Sequence, residues 1–421
     1  MSPERASRAR RRLGAIALLA LLIAGAAVFS AHASPAREIE RVVSDKGIVA
    51  WLVAEPAVPL IAVRFAFRGG TALEPSGKEG LTSMVAALLD EGAGPFDSKA
   101  FQDRLADRAI RLSFEAGSDS FGGSLETLSE RKAEAFDVLR LALAEPRFDP
   151  EPVARIREQM QISLAQNRED PEWLAMRAWL ERTLPDHPYG RSVSGTETSL
   201  AAISREDLLN FQASRFARDN LIVAVVGDIT AQDLKPLLDG AFGGLPEHAA
   251  PWQVSEAVLA DPGALDVIER PIPQSIVVFG AEGVKRDDPD FYAAEHLDPL
   301  EHAGLFMGSV ATQNDRVTES LAIIKAEMTK FRDEGLAPDE LKDAKLQITG
   351  SYPLRFDSND HIADFLVSVQ LDELGIDYIE KRNEYIEAVS ATDVARAAER
   401  LLRPERLRIA VVGEPKGLSA P

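Results

Sequence analysis

Five histidines follow residue 34, and their spacing decides what metal chemistry the chain can run. They are His187, His248, His296, His302 and His361, and no two stand four apart. Two imidazoles at i and i+4 share one helical face and can hold one ion between them; that pair is missing. The one local His/Glu cluster, Glu295-His296 with Glu301-His302, has its histidines six apart with Pro299 between them, which prevents a shared helical face. These residues are expected in an exposed loop. With no cysteine in the chain, thiolate chemistry, disulfides and a lipid anchor through cysteine are excluded. A Gly-x-Ser-x-Gly elbow, a P-loop and a Gly-x-Gly-x-x-Gly are also missing. Gly190-Arg191-Ser192-Val193-Ser194-Gly195 has the wrong spacing for the elbow and reads as a turn. Asp90-Glu91 and Asp287-Asp288 read as solvated helix ends or turns.

The elements that would carry any site are used twice. Ile203-Ser204-Arg205-Glu206-Asp207 through Gly227-Asp228 is answered, 186 residues on, by Val389-Ser390-Ala391-Thr392-Asp393 through Gly413-Glu414. Ser204 with Asp207 and Ser390 with Asp393 have the spacing of capping boxes, each opening an amphipathic helix that leads into an apolar strand. In the first copy Val49 to Val53 and Leu60 to Phe67 read as strands forming a hairpin across a Pro-containing turn. Helices are expected over Lys78 to Leu89, Ser98 to Ala109, Glu130 to Ala144 with Ser129 as cap, Pro152 to Gln166 and Glu172 to Arg182. Strands are expected at Ile110 to Glu115 and Phe121 to Glu126. The second copy reopens with strands at Leu265 to Glu269 and Ser275 to Gly280. It is shorter by about 29 residues between Glu295 and Leu305, where the first copy carries helix and strand; an insertion of that size in the first copy is the alternative. Strands clustered with helices, rather than strict alternation, give an α+β class with two homologous two-layer α/β sandwich domains.

Residues 1–33 read as a signal peptide, with Arg8, Arg10, Arg11 and Arg12 before an apolar stretch and Ala31-His32-Ala33 as the cleavage site. The expected domains are 34–245, a linker at 246–262, and 263–421. The protein is expected to be exported and periplasmic, touching membrane only if the signal stays uncleaved. Removing the signal leaves 42 basic and 66 acidic residues, which speaks against nucleic acid as a partner.

Four strings in order carry a family resemblance. They are Phe67-Arg68-Gly69-Gly70-Thr71-Ala72-Leu73-Glu74, Gly77-Lys78-Glu79-Gly80-Leu81, His187-Pro188-Tyr189-Gly190 followed by Gly195-Thr196, and Asp219-Asn220-Leu221 to Gly227-Asp228. The chain resembles the insulinase, pitrilysin and mitochondrial processing peptidase family of zinc peptidases over essentially its whole exported length. The resemblance implies a half clamshell, and a His-x-x-Glu-His zinc motif on the helix after Gly-x-x-Gly. Here Ser83 and Ala87 stand at the histidine positions and Ala86 at the glutamate. The third ligand, a glutamate some 75 residues on, falls near Ser163, with Glu158 the nearest preceding acid. A hydroxyl and methyl groups cannot hold a divalent ion. The Arg and Tyr that clamp substrate in the family would lie where the second copy is short, and no Arg-x6-Tyr occurs there. Tyr352 to Asp357 resembles a segment of bacterial members and reads as a helix break.

The resemblance therefore implies a non-catalytic subunit with no cofactor of its own. Its expected partner is a zinc-bearing family peptidase, forming a heterodimer that closes a chamber for peptide substrates. Two alternatives stay open: an independent peptide-binding or scaffold protein, and an active metalloendopeptidase with a displaced zinc site at His296 or His302.

Overall fold

The computed structural model describes residues 38–294 and 298–418; the signal segment and the Glu295-His296 pair lie outside them. The first copy supplies β1 (Ile39–Val43), β2 (Val49–Ala54), β3 (Leu60–Arg68), α1 (Leu81–Ala86), α2 (Ser98–Asp107), β4 (Arg111–Ala116), β5 (Ser120–Leu128), α3 (Lys132–Ala144), α4 (Pro150–Asn167), α5 (Pro171–Thr183), α6 (Glu197–Ala202), α7 (Arg205–Arg215), β6 (Leu221–Gly227) and α8 (Ala231–Ala241). The second supplies β7 (Leu265–Glu269), β8 (Gln274–Glu282), β9 (Asp298–Leu300), β10 (Ala303–Gln313), α9 (Val317–Glu334), α10 (Pro338–Ser351), α11 (Asn359–Leu371), α12 (Tyr378–Ala388), α13 (Ala391–Leu401) and β11 (Arg408–Gly413). Both capping boxes form. The Ser204 and Ser390 hydroxyls accept from the Asp207 and Asp393 N–H groups at 3.2 Å, and each aspartate accepts from its serine's N–H in return.

The class is α+β, built on two sheets. Their strand orders are β1-β2-β6-β3-β5-β4 and β7-β11-β8-β10-β9, so the second repeats the first without a described counterpart of β1. The parallel pairs β2–β6 and β7–β11 correspond, and β3–β6, β3–β5, β4–β5, β8–β11, β8–β10 and β9–β10 run antiparallel.

The expected hairpin between β2 and β3 does not form, because β6 lies between them. Five consecutive residues of β6 are buried, and a strand without a polar face is stable only where both edges are paired and both faces covered. The connection instead crosses the end of β6, with Glu55 N–H donating to Gly227 at 2.8 Å and Asp228 N–H to Leu60 at 3.0 Å. Ser129 does not cap α3 either; it opens a short 3-10 turn, Ser129–Arg131, that precedes the helix.

The two copies exchange a helix. α11 of the second copy packs on β6 and β3, while α5 of the first packs on β11 and β8. Each sheet is thus covered by its own helices on one face and by a lent helix on the other. Arg64 of β3 pairs with Asp360 and Asp364, one turn apart on α11.

The second copy is shortened in a specific way. Between Arg68 and Arg111 the first copy carries α1 and α2, whereas the described residues between Glu282 and Asp298 hold only a 3-10 turn, Phe291–Ala294. The expected loss of the strand is incorrect: it survives as the three-residue β9, paired to β10, because even a short ladder satisfies backbone groups at the sheet edge. What is missing is helical. The reading of Asp287-Asp288 as merely solvated also fails for Asp288, which binds Arg400; buried Asp290 holds both Arg400, at 3.0 Å, and Arg396, at 2.7 Å. These pairs tie the shortened connection to α13. Residues 246–262 contain no helix or strand but are pinned by Ala257 N–H to His302 at 2.9 Å and Ala260 N–H to Thr183 at 2.8 Å. No described helix is long and apolar enough to cross a membrane.

Candidate functional site

The start of α1 is set by two glycines that meet back to back. Gly80 has φ of 90° and Gly195 φ of 78°; a Cβ on Gly195 would strike the Glu79 carbonyl at 2.4 Å, and one on Gly80 the Gly195 Cα at 3.1 Å. Only glycine combines that conformation with that approach. Glu74 closes the helix end, its carboxylate accepting from Gly80 N–H at 2.9 Å and Thr82 N–H at 2.6 Å. These are orphan donors of the helix start. Burial pushes the Glu74 carboxyl up to about 7 despite these bonds.

On α1 itself, Ser83 and Ala87 are one turn apart, the Ala87 N–H donating to the Ser83 carbonyl at 3.0 Å. The Ser83 hydroxyl donates to Val193 O at 2.9 Å. Ala86 is buried and Ala87 half-buried against the core of the first sheet. Ser163 and Glu158 are both exposed on α4. The residues at these positions do not fit zinc: the Ser83 hydroxyl is engaged, Ser163 is exposed on α4, and the methyl groups have no lone pair.

A different cluster does bring ligand-type atoms together. Asp119, Glu301 and His302 each offer one within 4.8 Å of the others. Asp119 sits in the β4–β5 turn, and Glu301 and His302 in the β9–β10 turn. The Tyr189 hydroxyl donates to Asp119 Oδ1 at 2.5 Å and accepts from His302 N–H at 3.1 Å, while Glu301 N–H donates to Asp119 Oδ2 at 3.1 Å. Burial, followed by the bond to Asp119, raises the Tyr189 phenol above its ordinary value. Glu256 faces His302 Nδ1 at 3.5 Å and pairs with Lys285 at 3.0 Å, which holds the Glu256 carboxyl below the usual range. Both Asp119 oxygens are thus already used, and the cluster acts as a hydrogen-bonded clasp between turns of the two copies. His302, expected as an exposed loop residue, has only 18% of its side chain exposed, because the Tyr189 and Glu256 segments close over it. Asp119, Tyr189 and Glu256 were not legible as partners, since they come from segments far apart in sequence. The string His187-Pro188-Tyr189-Gly190 was the one signal that pointed there.

A cavity of about 840 Å³ runs round edge strand β4, lined among others by Arg64, Gln102, Glu115, Glu126, Asp364 and Ser368. No described strand pairs with the outer side of β4. Burial raises the Asp364 carboxyl, an effect that Arg64 opposes.

The profile described as peptidase M16 inactive domain matches residues 202–300. The non-peptidase homologue YmxG of Helicobacter pylori is 25% identical over 333 residues, 71% of this chain and 76% of that protein. A probable mitochondrial-processing peptidase subunit beta from Arabidopsis thaliana is 19% identical over 279 residues, 63% of this chain and 52% of that protein. The crystal structure of a peptidase M16 inactive domain from Pseudomonas fluorescens superposes with a TM-score of 0.83 at 22% identity, covering 91% of this chain and all of that one. The chain is similar to the M16 peptidases in sequence and in fold. Among them it resembles a bacterial non-catalytic member without the inverted zinc motif. The glycines and Glu74 around α1 build the helix start that the rest of the first copy packs on.

Proposed function

We propose that this M16 homologue is the exported, non-catalytic subunit of a peptide-degrading pair, its partner being a zinc-bearing family peptidase. The reading is supported by α1, where Ser83, Ala86 and Ala87 stand at the positions that the family resemblance gives to the metal motif. On this reading no cofactor resides in this chain and zinc belongs to the partner. Peptide enters beside β4, whose outer edge is open to an added strand, in a cavity whose Glu115 and Glu126 favour basic segments.

The shortened second copy favours a second reading, an independent peptide-binding or scaffold protein. The Asp119, Glu301 and His302 cluster is the observation behind a third, a peptidase with a displaced metal site. One experiment separates all three: affinity purification of residues 34–421 from their own cell envelope, with metal analysis and peptide hydrolysis assays. Recovery of a His-x-x-Glu-His peptidase that carries the zinc supports pairing. A chain recovered alone, without metal or activity, supports the scaffold. Stoichiometric zinc in the isolated chain, with unaided cleavage lost in His302→Ala, overturns both.

A further inference from the structure

The first copy shows what belongs in a space the second copy leaves open. There α1 packs on α7, and Leu81, Met84, Val85 and Leu88, at i, i+3, i+4 and i+7, are all buried. Leu208 and Phe211 of α7, with Val153 and Ile156 of α4, belong to the same core. The walls recur in the second copy. Aligned on their capping boxes, α13 places Val394 and Ala397 where α7 has Leu208 and Phe211; aligned on their first prolines, α10 places Leu341 and Ala344 where α4 has Val153 and Ile156. Even the tie across the end recurs: Arg157 of α4 donates to Leu200 O and Ile203 O, and Lys345 of α10 to Glu387 O.

The filling does not recur. Among the described residues α13 meets α9 and the Phe291–Ala294 turn but no counterpart of α1, and α10 buries none of its fourteen residues. The result is a groove of about 320 Å³, lined by Leu341, Ile348, Phe306, Phe331, Val394 and Leu402 among others. A second hollow, lined by Leu341, Lys342, Lys345 and Leu346, continues it along α10, where Leu346 is 66% exposed. A helix this long with no fully buried residue has less packing than ordinarily stabilises one, its contacts being with α12 and the Tyr352–Phe356 turn.

We propose that this groove receives an amphipathic α-helix from a partner polypeptide, laid between α10 and α13 where α1 lies in the first copy. The apolar spacing it takes is that of Leu81, Met84, Val85 and Leu88, the i, i+3, i+4, i+7 pattern of helix-in-groove recognition. Lys342, exposed at the rim and outside that tie, favours acidic residues flanking that face. The inference does not depend on the pairing proposed above, because the walls, not a zinc site, define the occupant.

The probe is a fluorescein-labelled peptide of this chain's own residues 78–109, titrated with the purified chain and followed by fluorescence anisotropy. Saturable 1:1 binding is expected, with a scrambled peptide failing to bind. Leu341→Asp on α10 weakens binding at least ten-fold, and Lys342→Glu weakens it several-fold in a salt-dependent way. Ile323→Asp, exposed on α9, leaves it unchanged. Circular dichroism melts of each variant verify folding. No saturable binding, equal binding of the scrambled peptide, or full affinity in Leu341→Asp overturns the assignment. So does a dimer of the chain, seen by sedimentation equilibrium, that Leu341→Asp dissociates, since the groove would then belong to a second copy.

Discussion

The indole N–H of Trp179 donates to the carbonyl of Arg408 at 2.9 Å, so a helix of the first repeat is bonded to a strand interior to the second sheet. Trp179 is fully buried, and a Cβ on Gly280 would lie 2.5 Å from its ring. The lent helix and the glycine beneath it are therefore matched in shape. Trp179→Ala is expected to cost about 3–5 kcal/mol through the cavity it leaves, and Gly280→Ala about 1–3 kcal/mol through overpacking. Urea unfolding checks both. A Gly280→Ala protein as stable as the parent would mean that α5 does not press on β8 as described.

The reciprocal contact is electrostatic. Arg64 faces Asp360 and Asp364 on α11, with 17% of its side chain exposed against 31% and 51% for the aspartates. Arg64→Leu leaves two carboxylates one turn apart with no counter-charge, at an expected cost of about 1–3 kcal/mol. Adding Asp364→Asn to that variant is expected to recover part of the loss. A double-mutant cycle measures it, and a coupling of zero would show that the helix is held by packing alone.

Tyr189 tests the clasp between the turns. Tyr189→Phe removes the donor to Asp119 and the acceptor for His302 N–H, leaving a carboxylate oxygen and a backbone donor short of a partner. A loss of about 1–3 kcal/mol is expected, read as a lower midpoint in urea. Amide exchange at His302 is expected to accelerate in the same variant; unchanged protection would show that the phenol is not its partner.

The parts of the fold legible in sequence are those fixed by neighbours along the chain. The capping boxes at Ser204 and Ser390 need only residues three apart, so the repeat and its helix starts could be read directly. β2 and β3 look like a hairpin for the same local reason, yet β6, more than 150 residues on, takes the place between them. The exchange of α5 and α11 leaves no local trace, since an amphipathic helix does not state which sheet it covers. Ser83, Ala86 and Ala87 could be read as one helical turn because they are neighbours along the chain. His302 could not, because its surroundings come from Asp119, Tyr189 and Glu256 in three other segments.

Glu74 gives the chain a pH response of definite sign. Its carboxyl has an ordinary value of 4.5 and is pushed up to about 7 in the folded protein by burial. Between those values the folded state holds a proton that the unfolded state has released, so raising the pH favours unfolding. The stabilising contribution is full below 4.5 and is lost as the pH passes 7, at most about 3 kcal/mol for a shift of that size. Glu74→Gln cannot ionise, and its amide oxygen can serve only one of the two N–H groups at Gly80 and Thr82. Unfolding free energies of parent and variant, measured from pH 4.5 to 8, are therefore expected to differ by an amount that changes across this window, the parent losing ground as the pH rises. A difference that stays constant would show that Glu74 ionises at its ordinary value, and that the start of α1 carries a full negative charge throughout.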